Sequence, residues 1–160
     1  MRDAAAPRRA ILFTDIGDTV IDEGTEVRDA PGGVVRRAAC VPGARETLLA
    51  LYARGYTIAM VADGLVESFH NTMAQHGLDH VFAAKAISEA VGAEKPDPRM
   101  FLDALQKCGH DAKDTVFIDD NPKNLEGAAK FGITPILITA KPGSDVESSY
   151  ATIHSLSELL

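Results

Sequence analysis

Three acidic turns carry the residue types that could do chemistry. Asp15 ends the apolar run Ala10-Ile11-Leu12-Phe13-Thr14 and leads into Ile16-Gly17-Asp18-Thr19; Asp63 lies in Ala62-Asp63-Gly64 after Tyr56 to Val61; Asp119-Asp120-Asn121-Pro122 follows Thr115 to Ile118. Asp is a common turn former, so each turn on its own could be purely structural. A carboxylate at the carboxyl end of a buried strand is nevertheless badly placed for packing and well placed for binding, because open α/β sheets hold ligands just beyond those ends. On one shared rim, Asp15, Asp119 and Asp120 would raise one another's pKa values unless a cation held them together. The donors offered are all oxygen, with no convergent His or Cys, which favours a hard ion such as Mg²⁺ over zinc. Lys95, in the proline-stiffened stretch Glu94-Lys95-Pro96-Asp97-Pro98, adds a point charge that could meet a carboxylate or a phosphoryl group.

The elements needed to position these groups are legible along the chain. Met1 to Pro7 reads as a loose lead-in. Strands are expected over Ala10 to Thr14, Tyr56 to Val61, Val81 to Ile87, Thr115 to Ile118 and Thr134 to Thr139. Helices are expected over Ala44 to Arg54, Val66 to Gln75, Pro98 to Lys107 and Pro122 to Phe131, each followed by a glycine suited to a helix stop. The tail reads as an extended piece at Tyr150 to Ile153 and a short helix through Ser155 to Leu160. Strands alternating with helices imply right-handed crossovers and a three-layer α/β/α, Rossmann-like domain with a central parallel sheet, spanning residues 1–160 as one unit. Ile21 to Val41, with a Pro-Gly turn near Pro31 to Gly33, suits a β-flap.

Bulk properties narrow the function classes. The 160 residues carry a formal net charge of -7, and the paired basics Arg8-Arg9 and Arg36-Arg37 read as solvated surface, so no nucleic-acid partner is expected. Cys40 and Cys108 lack disulfide or zinc spacing, and no apolar run is long enough to span a bilayer, so a reduced, cytoplasmic protein without a membrane partner is expected. His70, His76 and His80 do not fall on one helical face and read as surface or helix-end residues.

Four stretches in order carry a family resemblance: Phe13 to Thr19, Val61 to Gly64, Ser88-Glu89 through Glu94 to Pro98, and Val116 to Asn124. Together they resemble the ordered motifs of the haloacid dehalogenase-like hydrolase superfamily, most of whose members are Mg²⁺-dependent phosphatases acting through an aspartyl-phosphate. The resemblance implies that Asp15 is the nucleophile and that Mg²⁺ is held by Asp15, the carbonyl of Gly17 and either Asp119 or Asp120. It also implies that Lys95 neutralises charge on nucleophile and phosphoryl group, and that Asn124 orients a metal-bound water. Phosphate would be bound at Ala62, Asp63 and Gly64.

Two positions depart from that pattern. Gly17 stands where the phosphatases usually carry an acid/base Asp, leaving Asp18 as a candidate substitute, and Ala62 stands where a phosphate-binding hydroxyl is usual. The backbone N–H groups of Asp63 and Gly64 remain as possible donors. A flap in place of a helical cap implies an open cleft, hence either a macromolecular or bulky phosphoester or a homo-oligomer whose neighbour covers the site. The substrate expected is a phosphorylated small molecule or a bulkier phosphoester. The resulting expectation is a Mg²⁺-dependent phosphohydrolase. A catalytically weak protein that binds a phosphorylated ligand or partner, and a true haloacid dehalogenase, are the alternatives.

Overall fold

β1 (Ile11–Thr14) is buried along its whole length and pairs in parallel on both edges, with β4 on one side and β6 on the other. Such a strand is covered on both faces and therefore reads as an uninterrupted apolar run. The computed structural model describes residues 11–140 and 148–160; the expected lead-in over Met1 to Pro7, the Arg8-Arg9 pair and Ala10 lie outside them. In chain order the remaining strands are β2 (Val27–Arg28), β3 (Val35–Arg37), β4 (Thr57–Ala62), β5 (Phe82–Ile87), β6 (Thr115–Asp119), β7 (Thr134–Ile138) and β8 (Ala151–Ile153). Six of them form one parallel sheet in the order β5-β4-β1-β6-β7-β8.

The helices are α1 (Ala44–Ala53), α2 (Val66–His76), the four-residue α3 (Ser88–Val91), α4 (Pro98–Cys108) and α5 (Pro122–Lys130). Sequence supplies their ends: Asp97 and Asn121 cap α4 and α5 by accepting from Arg99 N–H and Lys123 N–H, and a proline occupies the first turn of each. Gly77 and Gly109 close α2 and α4 in the left-handed conformation. The period-2 alternation of β1 divides the core. Leu12 joins the layer that includes Leu48 and Met73, whereas Ile11 and Phe13 join the layer that includes Phe101, Phe117 and Leu125.

The tail follows expectation, with an extended piece at β8 and then a short helix. Leu156–Leu159 takes the 3-10 form with a Ser155/Glu158 capping box, as suits a segment too short to repay α-helix nucleation. α3 carries too few residues to show a helical period and was not expected.

Two features of this topology position the site. From β1 the chain moves outward through β4 to β5 and then returns to the other side of β1 at β6, so the loops after β1 and β6 leave adjacent strands at the point where strand order reverses. That is where an open sheet presents a crevice. The second is the flap: β2 and β3 pair antiparallel, and the turn between them closes through Gly33 N–H to Ala30 O at 2.8 Å, with Gly32 at φ +71°. It is fastened to α2 by side chains. Ser68 Oγ accepts from Val35 N–H (2.9 Å), Asn71 Nδ2 donates to Val35 O (2.9 Å), and Gln75 Oε1 accepts from Ala38 N–H (3.0 Å). His76 Nε2 lies 2.6 Å from Ala38 O, giving that histidine a structural partner. Among the described residues no helix is long and apolar enough to cross a membrane. Cys40 and Cys108 are free, half-buried thiols whose pKa values burial pushes up.

Candidate active site

The loops after β1 and β6 bring Asp15, Asp119 and Asp120 together, with one carboxylate oxygen of each within 4.8 Å of the others. Asp15 continues the ladder through its N–H to Ile118 O at 2.9 Å, which fixes the two loops side by side. Lys95 reaches in from the loop before α4. Its Nζ donates to Asp15 Oδ1 at 2.8 Å and to Asp119 Oδ2 at 2.9 Å, and its side chain is only 3% exposed. The Lys95 loop is itself seated on α5: an added Cβ at Gly127 would stand 2.5 Å from Pro96 Cβ and 2.9 Å from Pro96 O, so glycine is required for this approach.

Asp119 and Asp120 are separated by their partners. Asp119 Oδ1 accepts from Asn121 N–H (2.8 Å), and Oδ2 accepts from both Lys95 and Asn124 Nδ2 (3.1 Å). Both its oxygens are thus engaged by protein donors. Asn124 is tied to this carboxylate. Burial pushes Asp120 up to about 8, helped by the charge of Asp15 and by its hydrogen bond and charge interaction with Asp119. Burial likewise pushes Asp15 up to about 6; Lys95 pulls it back, and the charge of Asp119 adds to the rise. Burial alone would lower the Lys95 ammonium, but Asp15 and Asp119 hold it above the ordinary lysine range.

With all three carboxylates ionised, the one ammonium leaves two negative charges, the complement of one divalent cation. The donor set is all oxygen and suits Mg²⁺. The residues fit the ion, and Asp120 with Asp15 fits it better than Asp119, whose two oxygens already accept three hydrogen bonds.

The site opens on a cavity of about 450 Å³ lined by Asp15, Gly17, Asp18, Asp63, Gly64, Lys95, Asp119, Asp120 and Asn124, and also by Glu23, Glu26 and Arg28 from the flap side. Ala62 is not in this wall; it is 1% exposed and belongs to the apolar core. Asp63 Oδ1 accepts from Lys95 N–H at 3.0 Å, bracing the lysine loop. Gly64 N–H donates to Ser88 Oγ at 2.8 Å, so the amide considered for phosphate already has an acceptor. Asp18 adopts φ +57° and its Oδ1 accepts from Glu23 N–H at 3.0 Å, which makes it a support of the following turn. Thr19 Oγ1 makes a long 3.5 Å contact with Asp15 Oδ2. Among the described residues no group of three or more His, Cys, Asp or Glu side chains other than the Asp15, Asp119 and Asp120 cluster could hold a metal ion, so the histidines converge on none.

A haloacid dehalogenase-like hydrolase family model matches residues 5–132. The chain belongs to the haloacid dehalogenase-like hydrolases. An (S)-2-haloacid dehalogenase 4A of Burkholderia cepacia is 27% identical over 143 residues, covering 87% of this chain and 62% of the relative. A glyceraldehyde 3-phosphate phosphatase of Methanopyrus kandleri is 29% identical over 107 residues, covering 66% of this chain and 46% of the relative. A HAD phosphatase structure from Thermococcus onnurineus superimposes with a TM-score of 0.78 at 18% identity, over 94% of this chain and 95% of that one, a likeness of fold. The chain spans about half the length of the curated relatives it matches. Its hydrolase fold is the family's α/β/α sandwich with no large cap evident in the described residues.

Proposed function

We propose that this hydrolase is a Mg²⁺-dependent phosphohydrolase that transfers the phosphoryl group of a phosphomonoester to Asp15 and then to water. The observation that carries the reading is the convergence of Asp15, Asp119 and Asp120 with Lys95 bridging two of them. A carboxylate nucleophile and a phosphate dianion repel, so a site for this chemistry needs concentrated positive charge beside both. Lys95 supplies part of it at Asp15 Oδ1. A divalent cation held by Asp15 and Asp120, with the Gly17 carbonyl as a further donor, would supply the rest by neutralising phosphate oxygens. Asp119 and Asn124 fix the ammonium and the carboxylate frame, and the Asp63 carboxylate holds the Lys95 backbone in register.

The names of the matched relatives include phosphatases for phosphoserine and glyceraldehyde 3-phosphate, which supports a phosphomonoester substrate of small-metabolite type. The dehalogenase among them supports a second reading, in which Asp15 displaces halide from a 2-haloacid without a cation. Three clustered carboxylates favour the first reading, since haloacid displacement needs only one. The test is turnover of p-nitrophenyl phosphate with Mg²⁺ and with EDTA, beside halide release from 2-chloropropionate. Mg²⁺-dependent phosphate release that Asp15→Asn abolishes is the expected result. Halide release indifferent to EDTA would replace this reading with the second, and no turnover of either substrate would leave a ligand-binding protein.

A further inference from the structure

Phosphoryl transfer to Asp15 leaves an unanswered question of proton supply. An alkoxide leaving group departs slowly unless a positioned acid protonates it. Most carboxylates in the cavity wall already have other work: Asp119 holds Lys95 and Asn124, Asp63 accepts from the Lys95 N–H, Asp18 accepts from the Glu23 N–H, and Glu26 pairs with Arg28.

Glu23 stands apart by its place. An ideal Cβ on Gly17 would lie 1.9 Å from Glu23 Oε1 and 2.8 Å from its Cδ. The Glu23 carboxylate therefore fills the volume into which a side chain two residues after the nucleophile would project, on the wall of the cavity that holds Asp15. Gly17 is not among the residues with positive φ, so its backbone would accept a side chain; what occupies the space is the carboxylate arriving from six residues further on. The turn that delivers it is held at both ends. Asp18 receives the Glu23 N–H, Asp22 Oδ1 receives the Gly24 N–H at 3.0 Å, and Thr25 Oγ1 receives the Ala39 N–H at 2.8 Å from the base of the flap. Glu23 is exposed, so its carboxylate is within reach of an ester entering the cavity.

We propose that Glu23 is the general acid and base of this site, its carboxyl standing in the place left open by Gly17. The proposal rests on the phosphohydrolase reading above. In the first half-reaction an Asp15 oxygen bonds to phosphorus, the bond from phosphorus to the leaving oxygen breaks, and Glu23 gives its proton to that oxygen, releasing an alcohol. In the second, water attacks phosphorus and yields a proton to the Glu23 carboxylate. The phosphorus to Asp15 bond then breaks, releasing inorganic phosphate and restoring both residues.

The test uses the full chain with Mg²⁺ and two probes, 2,4-dinitrophenyl phosphate, whose leaving group needs no proton, and n-propyl phosphate, whose leaving group does. For Glu23→Gln, kcat/KM on propyl phosphate should fall by about 10²- to 10⁴-fold and on the dinitrophenyl ester by less than about tenfold. A burst of dinitrophenolate should appear as the phosphorylated enzyme accumulates. Combining Glu23→Ala with Gly17→Asp should recover most of the propyl phosphate activity, because the new carboxylate enters the vacated volume. Equal losses on both esters, or none on either, would overturn the proposal while leaving the phosphohydrolase reading intact. Failure of the unaltered protein to exceed Asp15→Asn on both esters would overturn the two together.

Discussion

Replacing Asp120 by asparagine should stabilise the metal-free protein while abolishing its response to Mg²⁺. Asp120 is pushed from 3.8 to about 8, so the folded state binds a proton there more tightly than the unfolded chain does. For an acid shifted upward the consequence is a loss of stability as pH rises through the window between about 4 and about 8, with no penalty below it. At about 1.4 kcal/mol per pKa unit, a fully buried group would cost roughly 4 kcal/mol near neutral pH. Asp120 is partly exposed and solvent screening reduces this to about 2 kcal/mol. The isosteric amide removes that cost, and for a domain of this size the melting temperature in EDTA at about pH 8 should rise by about 4 to 8 °C. Asp15, pushed up to about 6, keeps its own contribution, so the variant's stability should still decline up to about pH 6 and then level off. Mg²⁺ at a hundredfold excess over its Kd should stabilise the unaltered protein by about 2.7 kcal/mol and the variant hardly at all. Thermal unfolding followed by circular dichroism across this pH range, with EDTA and with Mg²⁺, checks each part. A variant less stable than the parent in EDTA at about pH 8, or one that Mg²⁺ still protects fully, would refute the assignment of Asp120 as an uncompensated metal ligand.

Two further perturbations probe the frame of the site. Lys95→Met strands the buried carboxylates of Asp15 and Asp119; unfolding in urea should show a loss of about 3 to 5 kcal/mol at neutral pH, and a smaller loss in acid, where Asp15 is protonated. Ser68→Ala leaves the Val35 N–H without its acceptor, which should cost about 1 to 3 kcal/mol and speed hydrogen exchange at Val35 while α2 stays protected.

Much of this arrangement was legible in the chain. β1, β4 and β6 could be read because a strand buried on both faces has no polar alternation to obscure it, and each ends where polar residues begin. The flap followed from its Pro-Gly turn, and the helix ends from the glycines that follow them. What could not be read depends on contacts between remote segments. That Gly64 spends its amide on Ser88 is a contact across 24 residues that no local pattern encodes. Ala62, next to Asp63, faces the core because strand alternation at the last position of β4 turns it away from the rim. Glu23 escaped notice because no motif spacing links it to Gly17; only the left-handed turn at Asp18 folds it back, and an Asp in that conformation carries no distinct sequence signal. The choice between Asp119 and Asp120 likewise required knowing which oxygens already accept hydrogen bonds.

The seat of Pro96 against Gly127 gives α5 a part beyond packing. That one helix starts just after Asp119 and Asp120, carries Asn124 in its first turn, and bears the loop from which Lys95 descends. Carboxylate, amide and ammonium are therefore mounted on a common beam. A slight tilt of that beam would carry these groups along together and change the distance from all of them to Asp15, which hangs from a different strand. The spacing of the site thus depends on the separation between the end of β1 and the start of α5, which the Asp15 N–H to Ile118 O bond holds on the strand side.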